Sequence, residues 1–272
     1  MTALNRHDPA MRGAALLLLL FLAGTAVSCV SDTNEPAVVG SAFDDVWQLP
    51  TLPPPAQYGN VLINRLTRKS THPSVAFSHW IHRRYYTCRV CHFELNFAMK
   101  TNGTDITEDK NRRGEYCGSC HNDKIAFGHT EENCRRCHSG TVASTDYRFA
   151  ELSSFPKSLY GDKINWVKAL RKGLIAPKQS LTNPNFESIP FDKNLRLAPE
   201  WRGVSTRASF PHQKHTEWLD CADCHPDLFN IQKKGTKHFR MDLILDGKFC
   251  GACHLTVAFP IQDCKRCHPD LD

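Results

Sequence analysis

Six times along the chain, Cys-x-x-Cys is followed at once by His: CRVCH, CGSCH, CRRCH, CADCH, CGACH and CKRCH. These sites use twelve of the 13 cysteines, paired as Cys88/Cys91, Cys117/Cys120, Cys134/Cys137, Cys221/Cys224, Cys250/Cys253 and Cys264/Cys267. Their histidines are His92, His121, His138, His225, His254 and His268. A disulfide framework has no use for the histidine. Paired Cys-x-x-Cys motifs also build zinc ribbons, but tetrahedral zinc gives no reason for a His after every pair. Thioredoxin-like redox pairs come singly beside a βαβ pattern, and none is visible here. Cys-x-x-Cys-His is the attachment motif of c-type haem. Two thiols at a short fixed separation add to the vinyl groups of one porphyrin, and the adjacent imidazole is held against the ring to ligate its iron. The expectation is six haem c groups.

Each iron accepts a second axial ligand on its far face. Apart from the motif histidines and His7, the 14 His leave His72, His79, His82, His129, His212, His215 and His238. The supply exceeds six irons by one, and His72 is the candidate spare. Met99 and Met241 read as packing residues, because enough histidine is at hand. The stretch FPHQKHTEWLDCADCH is therefore a cassette of two distal His followed by a haem site.

That cassette occurs twice. FSHWIHRRYYTCRVCH at 77–92 and FPHQKHTEWLDCADCH at 210–225 share one plan, and GEYCGSCH later matches GKFCGACH. The chain reads as a duplicated module, each copy holding His-x-x-His and three Cys-x-x-Cys-His sites. So short a chain cannot build a separate apolar core around every ring. Mostly irregular structure with short α-helices is expected, the core being largely haem. The glycines flanking Cys117 and Cys250 read as tight turns near a ring.

Phe-x-His-x-x-His ahead of closely spaced Cys-x-x-Cys-His sites resembles the class III, low-potential multihaem cytochromes c in their triheme form. The likeness covers about residues 74–139 and 207–270. The whole layout resembles hexahaem cytochromes of metal-reducing, electron-exporting bacteria. The resemblance implies two tandem class III triheme cytochrome c modules and a set of axial pairs. These are His79 with His92, His82 with His121, His212 with His225, His215 with His254, and His238 with His268. In the first module Asp105 stands where the family has its third distal His, so His129 is expected to serve His138, with His72 in reserve.

The domain plan is a signal peptide at 1–28, an arm at 29–73, module 1 at 74–140, a connector at 141–206 and module 2 at 207–272. Arg6 and Arg12 precede a short apolar run and small residues, the layout of an export signal. Cleavage before Cys29 would expose a Cys that lipoproteins acylate; ordinary cleavage leaves a soluble protein. The connector holds DKINWVKALRKG, with Ile164, Val167 and Leu170 at helical spacing, Asp162 as cap and Gly173 and Pro177 as stops.

Net charge is +6, spread without long blocks; it balances haem propionates and gives nucleic-acid binding no support. No phosphate-binding Gly-rich loop or Ser-His-Asp arrangement stands out. The resemblance implies an electron carrier rather than an enzyme, exported to the periplasm or outer surface. Its partners would be other redox proteins: cytochromes, quinol-linked reductases or an outer-membrane conduit. Two alternatives stand: a homo-oligomeric conducting filament or conduit subunit, and a multihaem reductase with one open iron.

Overall fold

The structure, a computed structural model, describes residues 48–198, 206–229 and 240–271. The export signal, Cys29 and His238 lie outside them. Regular structure comes only in short pieces. In module 1 an antiparallel ribbon, β1 (Asn60–Ile63) with β2 (Val75–Ser78), runs directly into one helical turn, α1 (His79–His82). Then come α2 (Glu108–Arg112) and α3 (Cys134–Cys137). The connector carries α4 (Trp166–Arg171). Module 2 repeats the plan: β3 (Asn194–Leu197) pairs antiparallel with β4 (Ala208–Pro211), which leads into α5 (His212–Thr216). It continues with α6 (Met241–Leu245), α7 (Gly251–His254) and α8 (Cys264–Cys267).

The ribbons set the phase of α1 and α5. Val61 opposes Phe77 in one, and Leu195 opposes Phe210 in the other. Two residues later each chain turns helical with a histidine as its first residue. The strands that complete these ribbons, β1 and β3, come from the stretches read as arm and connector. Within that arm, the chain at 54–58 closes into turns, with Tyr58 N–H donating to the Pro54 carbonyl, and buries Tyr58.

The glycines of GEYCGSCH and GKFCGACH have two different tasks. Gly114 (φ +83°) and Gly247 (φ +81°) adopt the left-handed backbone that ends α2 and α6. Their N–H groups donate to the carbonyls of Asn111 and Ile244. Gly118 and Gly251 instead allow the Cys-x-x-Cys turn to lie directly on those helices. A Cβ at Gly118 would stand 1.8 Å from the Asn111 carbonyl oxygen, and one at Gly251 would stand 1.9 Å from that of Ile244. The close approach is thus to a helix backbone, and only the first glycine of each pair makes a turn.

A conventional apolar cluster does exist, and the connector builds most of it. Trp80, Leu152, Ile164, Trp166, Ala169 and Ile175 are buried together, with Phe149, Phe155 and Trp218 packed against them. α4 is capped by Asn165, whose side chain accepts from Lys168 N–H, and not by Asp162. Asp162 is buried and accepts from Trp166 Nε1 at 2.6 Å and from Ile164 N–H at 3.0 Å. It serves to satisfy an indole inside the core. Burial pushes its carboxyl pKa up, against Arg83 and the Trp166 bond. Gly173 (φ +68°) ends the helix as its sequence position suggests.

Replacing Gly118 with Ala should destabilise module 1 by about 1–3 kcal/mol, the usual cost of overpacking, because the obstacle is backbone that cannot step aside. Thermal melting of Gly118→Ala against wild type measures this, and an unchanged melting temperature would contradict the packing described.

Candidate functional site

Most of the cysteine and histidine side chains of both modules, though not Cys221, His212 or His225, line one continuous cavity of about 2480 Å³. A pocket for a single small molecule reaches about 1,000 Å³, so this space suits several large groups. All twelve motif cysteines are unpaired thiols. Among the described residues no three or more His, Cys, Asp or Glu side chains converge as a metal-ion site. Burial, reinforced by neighbouring thiols, pushes Cys91 and Cys253 up to about 12. Burial likewise raises Cys117 to about 12, and Cys224 and Cys267 to about 11. Such thiols avoid carrying charge, which suits conversion to neutral thioethers.

The histidines are held in one tautomer. Nδ1 lies 2.7–2.9 Å from a backbone carbonyl in His79 (Gly59), His82 (Ser78), His92 (Phe97) and His121 (Phe127). The same bond occurs in His212 (Lys193), His215 (Pro211), His225 (Phe229) and His254 (Phe259). His138 makes it to Pro73 at 2.8 Å. A carbonyl only accepts, so Nδ1 must donate and Nε2 keeps its lone pair for a metal. Burial lowers His79 to about 3 and His82 and His254 to about 4, partly opposed by those carbonyl bonds. It also lowers His92, His121 and His215. Burial lowers His268 as well, against the Arg207 backbone. Neutral imidazole is the ligating form.

Pairing is visible in the ring positions. His82 and His121 have centroids 6.2 Å apart, and His215 and His254 repeat the value. Two imidazoles gripping one metal from opposite sides, each bond about 2 Å, put their centroids about that far apart. Phe77 stacks on His82 at 4.4 Å and meets His79 edge-on at 4.8 Å. Phe210 does the same to His215 at 4.3 Å and His212 at 4.9 Å. His79 and His92 lie near enough for their charges to interact. The cavity, the thiols and the paired neutral imidazoles fit haem c.

The third site of module 1 differs. The ring brought to His138 is that of His72, edge-on at 5.5 Å. His129 lies by His121 and Glu108, close enough to affect their charges. Met99 and Met241 line the cavity. In module 2, His238 lies outside the described residues.

Sequence reasoning overlooked a phenylalanine four to six residues beyond each of four motif histidines. Phe97, Phe127, Phe229 and Phe259 supply the carbonyls that hold His92, His121, His225 and His254. Two of their rings also press on the middle histidines, at 4.4 Å for Phe127 and 4.3 Å for Phe259. Arg136 lies 3.6 Å over the Phe127 ring and Arg266 lies 4.5 Å over that of Phe259. The spacing was readable, since each of the first two sites in both modules has such a Phe.

Residues 75–139 and 208–269 each match the family of cytochrome c7 and related cytochrome c. No curated protein matches the chain. Among solved structures, the C-terminal hexaheme fragment of GSU1996 is similar at 26% identity, covering 80% of this chain and 99% of that one, with a TM-score of 0.26. The dodecaheme cytochrome c GSU1996 is also 26% identical, covering 79% of this chain and 75% of that one, with a TM-score of 0.25.

The depressed histidines set a pH dependence. The unfolded chain binds protons near the ordinary 6.5 and the folded chain holds His82 and His254 neutral down to about 4. Their contribution to stability is whole above about 6.5 and is lost as pH falls toward about 4. Melting temperature should fall across that window; a flat profile would contradict the burial described.

Proposed function

We propose that the chain, two stretches of which match the cytochrome c7 family, is a multihaem cytochrome c of tandem class III triheme modules, a hexahaem carrier with covalent haem c that passes electrons between other redox proteins. The modules would span 74–140 and 207–272. The observation that carries this reading is the pair of imidazoles 6.2 Å apart, repeated in both modules. An iron with both axial positions filled by His has nowhere to bind a substrate, so it exchanges electrons and little else. Histidine in both places, with no Met needed, favours a low potential.

The axial pairs would be His79/His92, His82/His121, His212/His225, His215/His254 and His238/His268. For His138 the geometry favours His72 over His129. The sequence of the first 28 residues supports export, with Cys29 lipidated or not, to the periplasm or outer surface. The His138 site, whose candidate partner sits nearer than in the regular pairs, is where an open iron and a reductase activity would arise.

Two measurements test this reading. The intact mass of the mature protein should exceed that of the polypeptide by six haem groups; two or three would overturn the hexahaem count. In His72→Ala one haem in six should become high-spin, while His129→Ala stays low-spin throughout. The reverse result would restore His129 as the ligand.

A further inference from the structure

The two modules are tied together at their first sites. Arg89 is a variable residue of CRVCH, and Asp220 immediately precedes CADCH. The Arg89 backbone N–H donates to the Trp218 carbonyl at 2.9 Å. Its guanidinium, the side chain only 11% exposed, donates from Nε to Asp220 Oδ2 at 2.9 Å. From Nη1 it donates to Glu94 at 2.6 Å and to the Gln179 carbonyl at 3.0 Å. It also stands 3.9 Å over the Phe186 ring. Asp220 turns its other oxygen, Oδ1, to the Ala222 N–H at 3.1 Å and so caps the turn that carries Cys221.

One cation thus grips the first site of module 1, the connector and the first site of module 2. Beneath it, the thiols of Cys88 and Cys224 are close enough for their charges to interact. Adhesion alone would be served as well by apolar side chains, since a buried ion pair adds little net stability over them. A planar guanidinium with three fixed acceptors does something else: it sets separation and rotation. Electron transfer falls exponentially with the gap between centres, so that separation governs a rate.

We propose that electrons cross between the modules at the contact of the two first sites, those of His92 and His225, and that Arg89 is the positioning residue that sets their gap. One electron leaves the reduced site and enters the oxidised one; no bond forms or breaks and no proton moves. The inference rests on the electron-carrier reading above.

The test uses the full, haem-loaded protein and Arg89→Ala, Arg89→Lys and Asp220→Asn. Exchange NMR at partial reduction reads electron exchange between modules and within each module separately. Exchange between modules should slow roughly tenfold in Arg89→Ala, small misplacements having large effects on rate, while exchange within each module stays as in wild type. Arg89→Lys keeps the charge without the fork and should also slow it, and Asp220→Asn should slow it without touching Arg89. Should Arg89→Ala not fold, the other two variants carry the test. Unchanged exchange between modules, or equal slowing everywhere, overturns the proposal. Wild-type protein without haem would instead overturn the carrier reading itself.

Discussion

The hydrogen bond from imidazole Nδ1 to a backbone carbonyl is what the rest of the structure depends on. It fixes the tautomer, the ring orientation and the direction of the free Nε2 in nine histidines. A histidine without it would be free to rotate. With it, a ring that burial keeps neutral, against the pull of the carbonyl bond, is also aimed. The local elements serve this bond. The ribbons deliver Gly59 and Lys193 to His79 and His212, helical turns offer Ser78 and Pro211 to His82 and His215, and the loops after the motifs offer phenylalanine carbonyls.

Duplication then makes the arrangement checkable within one molecule. The Phe77 and Phe210 stacks, the two 6.2 Å imidazole pairs and the two Gly–helix contacts agree to within a few tenths of an ångström. The third sites diverge, and so do the first: His79 and His92 line the shared cavity while His212 and His225 do not, and Phe191 meets His212 edge-on. His138 is held by Pro73 and faced by His72, while His268 has the Arg207 backbone as its neighbour. In the first module Asp105 stands where the resemblance led one to expect the third distal His. The departure from pattern and the departure in geometry coincide.

Much of the site was legible because its chemistry is local: thiols and a ligating imidazole within five residues cannot be placed far apart. The His-x-x-His pairs were legible for the same reason, being one helical turn. What could not be read were contacts between distant segments. Asp162 looked like a helix cap and is instead the partner of a buried indole, because only the folded core brings Trp166 to it. Arg89, a variable position inside a motif, carried no signal of its own in the sequence. Its acceptors, Glu94, Gln179 and Asp220, converge only after the connector has folded back. The apolar cluster of Trp80 with the connector escaped notice because its members are spread from α1 to Ile175.

The connector lies over the first site of module 1. The Lys178 carbonyl accepts from Thr87 N–H, the residue before Cys88, and Gln179 and Phe186 close on Arg89 beside it. A chain emerging from its N-terminus presents that site well before these covering residues arrive. A haem joined to Cys88 and Cys91, as proposed above, would have to be in place before residues 178–186 dock over it. Assembly in this architecture has an order, written into which segment covers which.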